Sequence, residues 1–174
     1  MKKCKSCLEP FEPKQKFNST LSTNRCEVCL KTAQALKNLA SIKKEKKIKQ
    51  KEDLLTLQDY LKMTQQVFNQ YIRKRDQGLN CISCDKPCKK ENAGHYFSSG
   101  GHANVRFDEN NVNLQCEYCN TFLHGNLILY GVNLEKKIGK DEFIILREKA
   151  YLTRKFSKDE LNLLLLKYKA KLKG

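Results

Sequence analysis

Eight of the chain's nine cysteines stand in four Cys-x-x-Cys pairs: Cys4/Cys7, Cys26/Cys29, Cys81/Cys84 and Cys116/Cys119. Two sulfurs at that spacing reach one tetrahedral ion, so the pairs predict two four-thiolate sites with zinc as the default metal. The first two pairs are separated by eighteen residues, close to known four-cysteine zinc spacings. Thirty-one residues separate the other two, which suits two knuckles closed around an inserted β-hairpin. A four-thiolate zinc supplies folding energy and leaves no open coordination position, so these eight cysteines are read as structural and any chemistry must lie elsewhere. Cys88, the odd cysteine, is read as an unliganded thiol.

Composition bounds what surrounds those sites. The 174 residues include 34 basic and 19 acidic side chains, a formal charge of +15, and 40% are hydrophobic. One large core is therefore not expected. A polyanionic partner is, and nucleic acid is the first candidate. An anionic membrane surface is the alternative, but apolar runs such as Leu163 to Leu166 fall far short of the roughly 20 residues that span a bilayer. The start, Met1-Lys2-Lys3-Cys4, lacks the apolar stretch of a secretory signal, so the expected location is the cytosol, where cysteine pairs bind metal more often than they form disulfides.

Along the chain, residues 1–29 read as a four-cysteine knuckle. From Leu30 to Asp53 there is no Gly or Pro and eight lysines face three acids, including Lys43, Lys44, Lys46 and Lys47, which predicts a solvated basic helix. Residues 54–133 follow as a helix plus a zinc-stabilised module. Leu57, Leu61, Phe68, Tyr71 and Ile72 line one helical face there, with Gly78 as a stop. Between Leu79 and Asn126 come short β-like pieces, a Gly-rich turn at Ser98 to Gly101, and all three histidines. Residues 134–174 are helical in pattern; Ser157 and Glu160 form a capping box, and Leu161, Leu164, Leu165, Tyr168 and Leu172 form an inward stripe. His102, in the turn, is read as structural.

Ala93-Gly94-His95-Tyr96-Phe97, then Asn111 to Cys116, then Asn120 directly after Cys119 with His124 four positions on, resembles the HNH or ββα-metal nuclease motif. The resemblance implies a hairpin and helix holding one divalent ion, Mg2+ or Mn2+. By position His95 matches the general base, Asn111 the residue that orients it, and Asn120 a metal ligand, with His124 a second. Phosphodiester hydrolysis suits such parts, since a base of near-neutral pKa generates the nucleophile and a cation stabilises phosphate charge. Gly94 departs from that pattern, which often has an acidic ligand there; Glu91, Asn92 and Asp85 are the alternatives.

A second resemblance covers about residues 60–174. Tyr71-Ile72-Arg73-Lys74-Arg75-Asp76, Cys81-Ile82-Ser83-Cys84, Ala93-Gly94-His95-Tyr96, Val105-Arg106-Phe107, Asn111-Val112, Gln115-Cys116, Cys119-Asn120 and Gly125-Asn126-Leu127 together look like the phage lambda NinG family, also called Rap. It implies a phage- or prophage-encoded recombination protein in the bacterial host cytoplasm, cutting branched DNA such as Holliday junctions and D-loops, with host or phage recombination proteins as further partners. That family leads one to expect Asp where this chain has Asn92.

The resulting expectation is an α+β protein of small zinc-bound modules, with a ββα-metal core and flanking helices. Arg73, Arg75 and Arg106 are expected to clamp phosphates beside the site, and Lys43, Lys44, Lys46 and Lys47 to meet DNA from the basic helix. Productive cutting of a four-way junction takes two nicks, so a homodimer is expected. The chief rival is a noncatalytic, zinc-dependent nucleic-acid-binding accessory protein. A zinc-stabilised protein-interaction module is a weaker one.

Overall fold

The computed structural model describes residues 1–12 and 24–174. The middle of the knuckle expected over 1–29 lies outside the described residues. The fold is mixed α and β, mostly helical with two small sheets, and it divides into Met1–Leu55 and Thr56–Gly174.

In the first unit, β1 (Lys2–Lys3) pairs antiparallel with β2 (Pro10–Phe11) around Cys4 and Cys7. Helix α1 spans Glu27–Asp53, three residues earlier than the composition predicts, because the Cys26 side chain accepts the Cys29 amide as an N-cap. A cap satisfies one of the donors that a helix start leaves unpaired, so the second cysteine pair itself opens the helix. No α1 residue is buried, so this helix rests on propensity and its own ion pairs, such as Glu27 to Lys31.

The second unit is built around one hairpin. Helix α2 (Leu57–Arg75) opens with a reciprocal Thr56/Asp59 capping box and buries Thr64, Phe68 and Ile72. Asp76 caps its end, and Gly78 sits at a φ of +83° in the following turn. Strands β3 (Glu91–His95) and β4 (Val112–Cys116) pair antiparallel, Glu91 opposite Cys116 and His95 opposite Val112. Successive side chains alternate faces, so Ala93 and His95 share one face with Val112 and Leu114, while Gly94 shares the other with Asn113 and Gln115.

Each face has its own core. Ala93 and Val112 pack with Phe68 and Ile72 of α2, Phe107, and Leu161 and Tyr168 of α5 (Lys158–Lys173). On the other side Tyr130 and Leu134 of α3 (Leu127–Ile138) pack with Val105 and with Leu146 and Ala150 of α4 (Lys140–Ala150). Helix α5 begins on the Ser157/Glu160 capping box, and Leu161, Leu165 and Tyr168 of its stripe are buried. Two small cores flanking a hairpin replace one large one, as the low apolar content requires.

The boundary expected between residues 133 and 134 falls inside α3. The chain turns eight residues earlier, where His124, Gly125 and Asn126 all take positive φ, and α3 then runs unbroken to Gly139. No described helix is long and apolar enough to cross a membrane.

Candidate functional site

Each unit gathers four cysteine sulfurs within 4.8 Å of one another: Cys4, Cys7, Cys26 and Cys29 in the first, Cys81, Cys84, Cys116 and Cys119 in the second. The Cys7 to Cys26 sulfurs lie 3.7 Å apart and those of Cys84 and Cys116 3.9 Å. A tetrahedron with zinc–sulfur bonds of about 2.3 Å has edges of about 3.8 Å, whereas a disulfide needs about 2.05 Å. Both clusters could therefore hold zinc.

The same turn builds both. Leu8 N–H donates to the Cys4 carbonyl and Cys4 N–H to Glu9, just as Asp85 donates to Cys81 and Cys81 to Lys86. Leu8 and Asp85, each four residues past the first cysteine, both adopt positive φ. In each unit the later pair then sits at a helical turn, with Cys29 N–H on the Cys26 sulfur and Cys119 N–H on that of Cys116.

Backbone donors aim at the sulfurs. The Cys26 amide, chiefly, draws the Cys4 thiol down to about 6. Burial opposes ionisation of Cys81, yet the amides of Cys116, Cys84 and Ser83 carry it down to about 7. Crowding by the Cys26 and Cys7 sulfurs pushes Cys29 up to about 12, and burial does the same to Cys119. A divalent cation removes that repulsion, since its ligands bind as thiolates. Cys88 belongs to neither cluster, and burial pushes its thiol up to about 12, which makes it a poor nucleophile.

His95 ends β3. Its Nε2 lies 3.1 Å from the Arg106 carbonyl oxygen, which only accepts, so the bond keeps a proton on Nε2 and leaves Nδ1 as the basic atom. Burial lowers its pKa, favouring the neutral ring near pH 7. The Asn111 hydrogen bonds go to the backbone of Phe97 and Val105 and not to that ring. The Asn111 amide holds the loop instead, donating to the Val105 and Phe97 carbonyls while its oxygen accepts from Phe97 N–H. Val105 adjoins Arg106, so Asn111 fixes the loop that presents the carbonyl to His95. Tyr130 Oη donates to the Gly94 carbonyl at 2.9 Å and steadies the strand from α3.

The other candidates lie at the far end of the hairpin. Strand β4 runs away from the His95 pair, and Asn120 follows in a π-helical turn (Tyr118–Phe122) beyond Cys116. Four residues of strand, roughly 13 Å, separate the two ends. His124 is exposed in the left-handed turn after it. Among the described residues no group of three His, Cys, Asp or Glu side chains gathers at His95, Asn120 or His124. Glu91 lies opposite Cys116, at the end remote from His95, and Asp85 bonds Asn80 within the knuckle. Gly94 has no room for the missing acid: a Cβ there would lie 2.1 Å from Gln115 Oε1.

A family model described as Bacteriophage Lambda NinG protein matches residues 1–174, the whole chain. This chain belongs to the NinG family. It is 36% identical over 115 residues to Protein ninG of Escherichia phage 933W, covering 66% of this chain and 57% of that one. Over 81 residues it is 42% identical to Protein ninG of Salmonella phage P22, covering 46% and 40%, and over 83 residues 40% identical to that of Escherichia phage lambda, covering 47% and 41%. The chain thus spans about half the length of the curated relatives it matches. No solved structure matches it.

Two of the arginines expected to clamp phosphate make hydrogen bonds within the NinG fold. Arg75 uses every guanidinium nitrogen internally, on both Asp76 oxygens, the Glu109 and Val112 carbonyls and Asn113 Oδ1. Arg106 reaches Gln65 Oε1 and the Ser99 carbonyl. Arg73 is half-buried on α2, whereas Lys43, Lys44, Lys46 and Lys47 are exposed on α1. His102 is held by the Ala150 carbonyl and packs edge-on to Phe97 and Tyr151.

Sequence reasoning missed Gln115, Ser83 and Tyr130. Gln115 Nε2 donates to Ser83 Oγ and to the Gly125 carbonyl, tying the knuckle to the turn after Asn120. A glutamine at an alternate position of a short strand was the available signal, because a buried amide must find partners.

Proposed function

We propose that this NinG-family chain is a metal-dependent endodeoxyribonuclease acting on branched recombination intermediates, Holliday junctions and D-loops, as a homodimer. The observation that carries this reading is His95, whose ring is kept neutral by burial, fixed through Nε2 by the Arg106 carbonyl, and left with Nδ1 to accept a proton from water. The loop geometry set by Asn111 and the net charge of +15 support it.

The residues around the hairpin fit a divalent ion poorly. Magnesium is usually held by one or two carboxylates besides substrate phosphates, and among the described residues no group of three His, Cys, Asp or Glu side chains forms outside the two cysteine clusters. No step is therefore routed through the ion. That same gap, with the separation of Asn120 from His95, favours a second reading: a noncatalytic DNA-binding accessory protein that keeps its knuckles.

Cleavage of a labelled four-way junction and a matched duplex, with magnesium or manganese, separates the two. The nuclease predicts metal-dependent cutting of the junction that His95→Ala removes while folding and binding persist. Binding without cutting under either metal establishes the second reading. Sedimentation on junction DNA tests the dimer, and a monomer would count against it.

A further inference from the structure

Aromatic side chains in the second unit are mostly packed, yet Tyr118 and Phe122 are 63% and 65% exposed. Their rings lie side by side, centroids 6.1 Å apart and planes 34° from parallel. Tyr151 is also exposed, but its ring packs edge-on against His102 and Phe97. Leaving two large rings in water forgoes burial that folding would otherwise gain, and exposed apolar surface on that scale marks a contact surface.

The backbone fixes their pose. Leu123 N–H donates to the Tyr118 carbonyl, an i to i+5 bond that widens the turn, and Gly125 N–H closes it on Cys119. The turn is anchored below by Cys119 and by Gln115 and Ser83 through Gly125. The rings therefore stand on a rigid base beside the cysteine cluster. Charge decides what meets them. Thr56–Gly174 carries twenty basic and thirteen acidic side chains. Lys89 and Lys90 lead into Glu91, opposite Cys116; the Lys90 carbonyl accepts from the amide of Glu117, the residue before Tyr118, and the Lys90 ammonium pairs with the Glu117 carboxylate, which leaves Lys86 and Lys89 as the cations of this edge. Lys86 and Lys89 are exposed and, among the described residues, in no ion pair.

Paired aromatic faces flanked by cations are what unpaired nucleotides bind: the backbone meets the charge and the bases stack on the rings. We propose that Tyr118 and Phe122 form a stacking platform for unpaired bases at a DNA branch point. This rests on the DNA-binding part of the function proposed above, and not on cleavage.

The test uses the full chain with its zinc, and with no magnesium or manganese added, on a four-way junction carrying 2-aminopurine at the branch and on the same sequence as duplex. Stacking quenches the probe on binding. Phe122→Leu keeps the apolar surface and removes the π-face; Phe122→Trp keeps the π-face. Roughly tenfold weaker junction binding and lost quenching in Phe122→Leu, both restored in Phe122→Trp, with duplex affinity unchanged in each, would support the platform. Tyr118→Leu, read only if it retains its zinc, should behave like Phe122→Leu. Unchanged junction binding and quenching in Phe122→Leu overturn the platform while leaving the nuclease reading intact. So does a change of oligomeric state in that variant, which would assign the rings to a protein interface. Failure of the unaltered chain to bind any DNA overturns both readings.

Discussion

Position 94 can hold no side chain while Gln115 keeps its rotamer, since Oε1 occupies the place of the Cβ. That oxygen is also buried without a hydrogen-bond partner among the described residues. Gly94→Ala should therefore destabilise the protein by about 1–3 kcal/mol through overpacking, and Gln115→Ala in the same chain should return part of that loss. Additive effects in thermal or urea unfolding would refute the clash. Asp76 is a second case. Burial raises its pKa, but Arg75 and Lys137 outweigh it and hold the carboxylate low. Its contribution is therefore present above the unfolded value of about 3.9 and is lost as pH falls through the folded one. Asp76→Asn removes the charge that pairs with Arg75 and sets an NH2 donor against either Arg75 or the Leu114 amide, so it should cost about 3–5 kcal/mol. A cost below 1 kcal/mol in denaturant titration would show the network to be weak. The His95 pKa is lowered as well, here by burial, which keeps the base neutral to lower pH, so the acid limb of single-turnover cleavage should lie below the free-imidazole value of about 6.5. A limb at or above that value would remove His95 from the role.

At the level of elements, the two cysteine clusters share one construction: a knuckle turn with a positive-φ residue, then a helical turn carrying the second pair. Their surroundings differ. Helix α1 buries nothing, whereas the second cluster is tied to the hairpin through Ser83, Gln115 and Gly125 and to α3 through Asn133, whose amide donates to the Ile82 carbonyl. Elemental analysis should find two zinc ions per chain, falling to one in Cys116→Ser. Near-UV signal from the Tyr130 core should fall only when the second site is broken. Two bound ions in Cys116→Ser would contradict the assignment. The capping boxes of α2 and α5 were open to different degrees. Ser157/Glu160 was readable from its pattern; Thr56/Asp59 was not, because Asp replaces the usual Glu or Gln.

Over the whole molecule the charge is spread, with fourteen basic and six acidic side chains in Met1–Leu55 and a smaller excess in Thr56–Gly174. If about six phosphates are neutralised, DNA affinity should fall roughly 10³-fold between 50 and 200 mM salt. Fluorescence anisotropy across that range measures the slope, and a flat response would point to the protein-interaction reading instead.

Cysteine spacing by itself determined the two four-sulfur clusters, because two residues between ligands fix their reach whatever the fold around them. Apolar periodicity likewise determined the inward face of α5 and that of α2 from Leu61 onward, since a helix must bury its stripe, whereas Leu57 at the start of α2 is exposed. Tertiary structure alone decided which side chains near His95 are free to act. Arg75 looked like a phosphate clamp until Asp76, Glu109 and Val112 surrounded it, and Gly94 looked like a lost ligand until Gln115 filled its place. The separation of Asn120 from His95 belongs there too. Sequence order sets them twenty-five residues apart, but only strand direction and register decide that β4 leaves His95 and ends at Cys116, four residues before Asn120, at the other end of the hairpin.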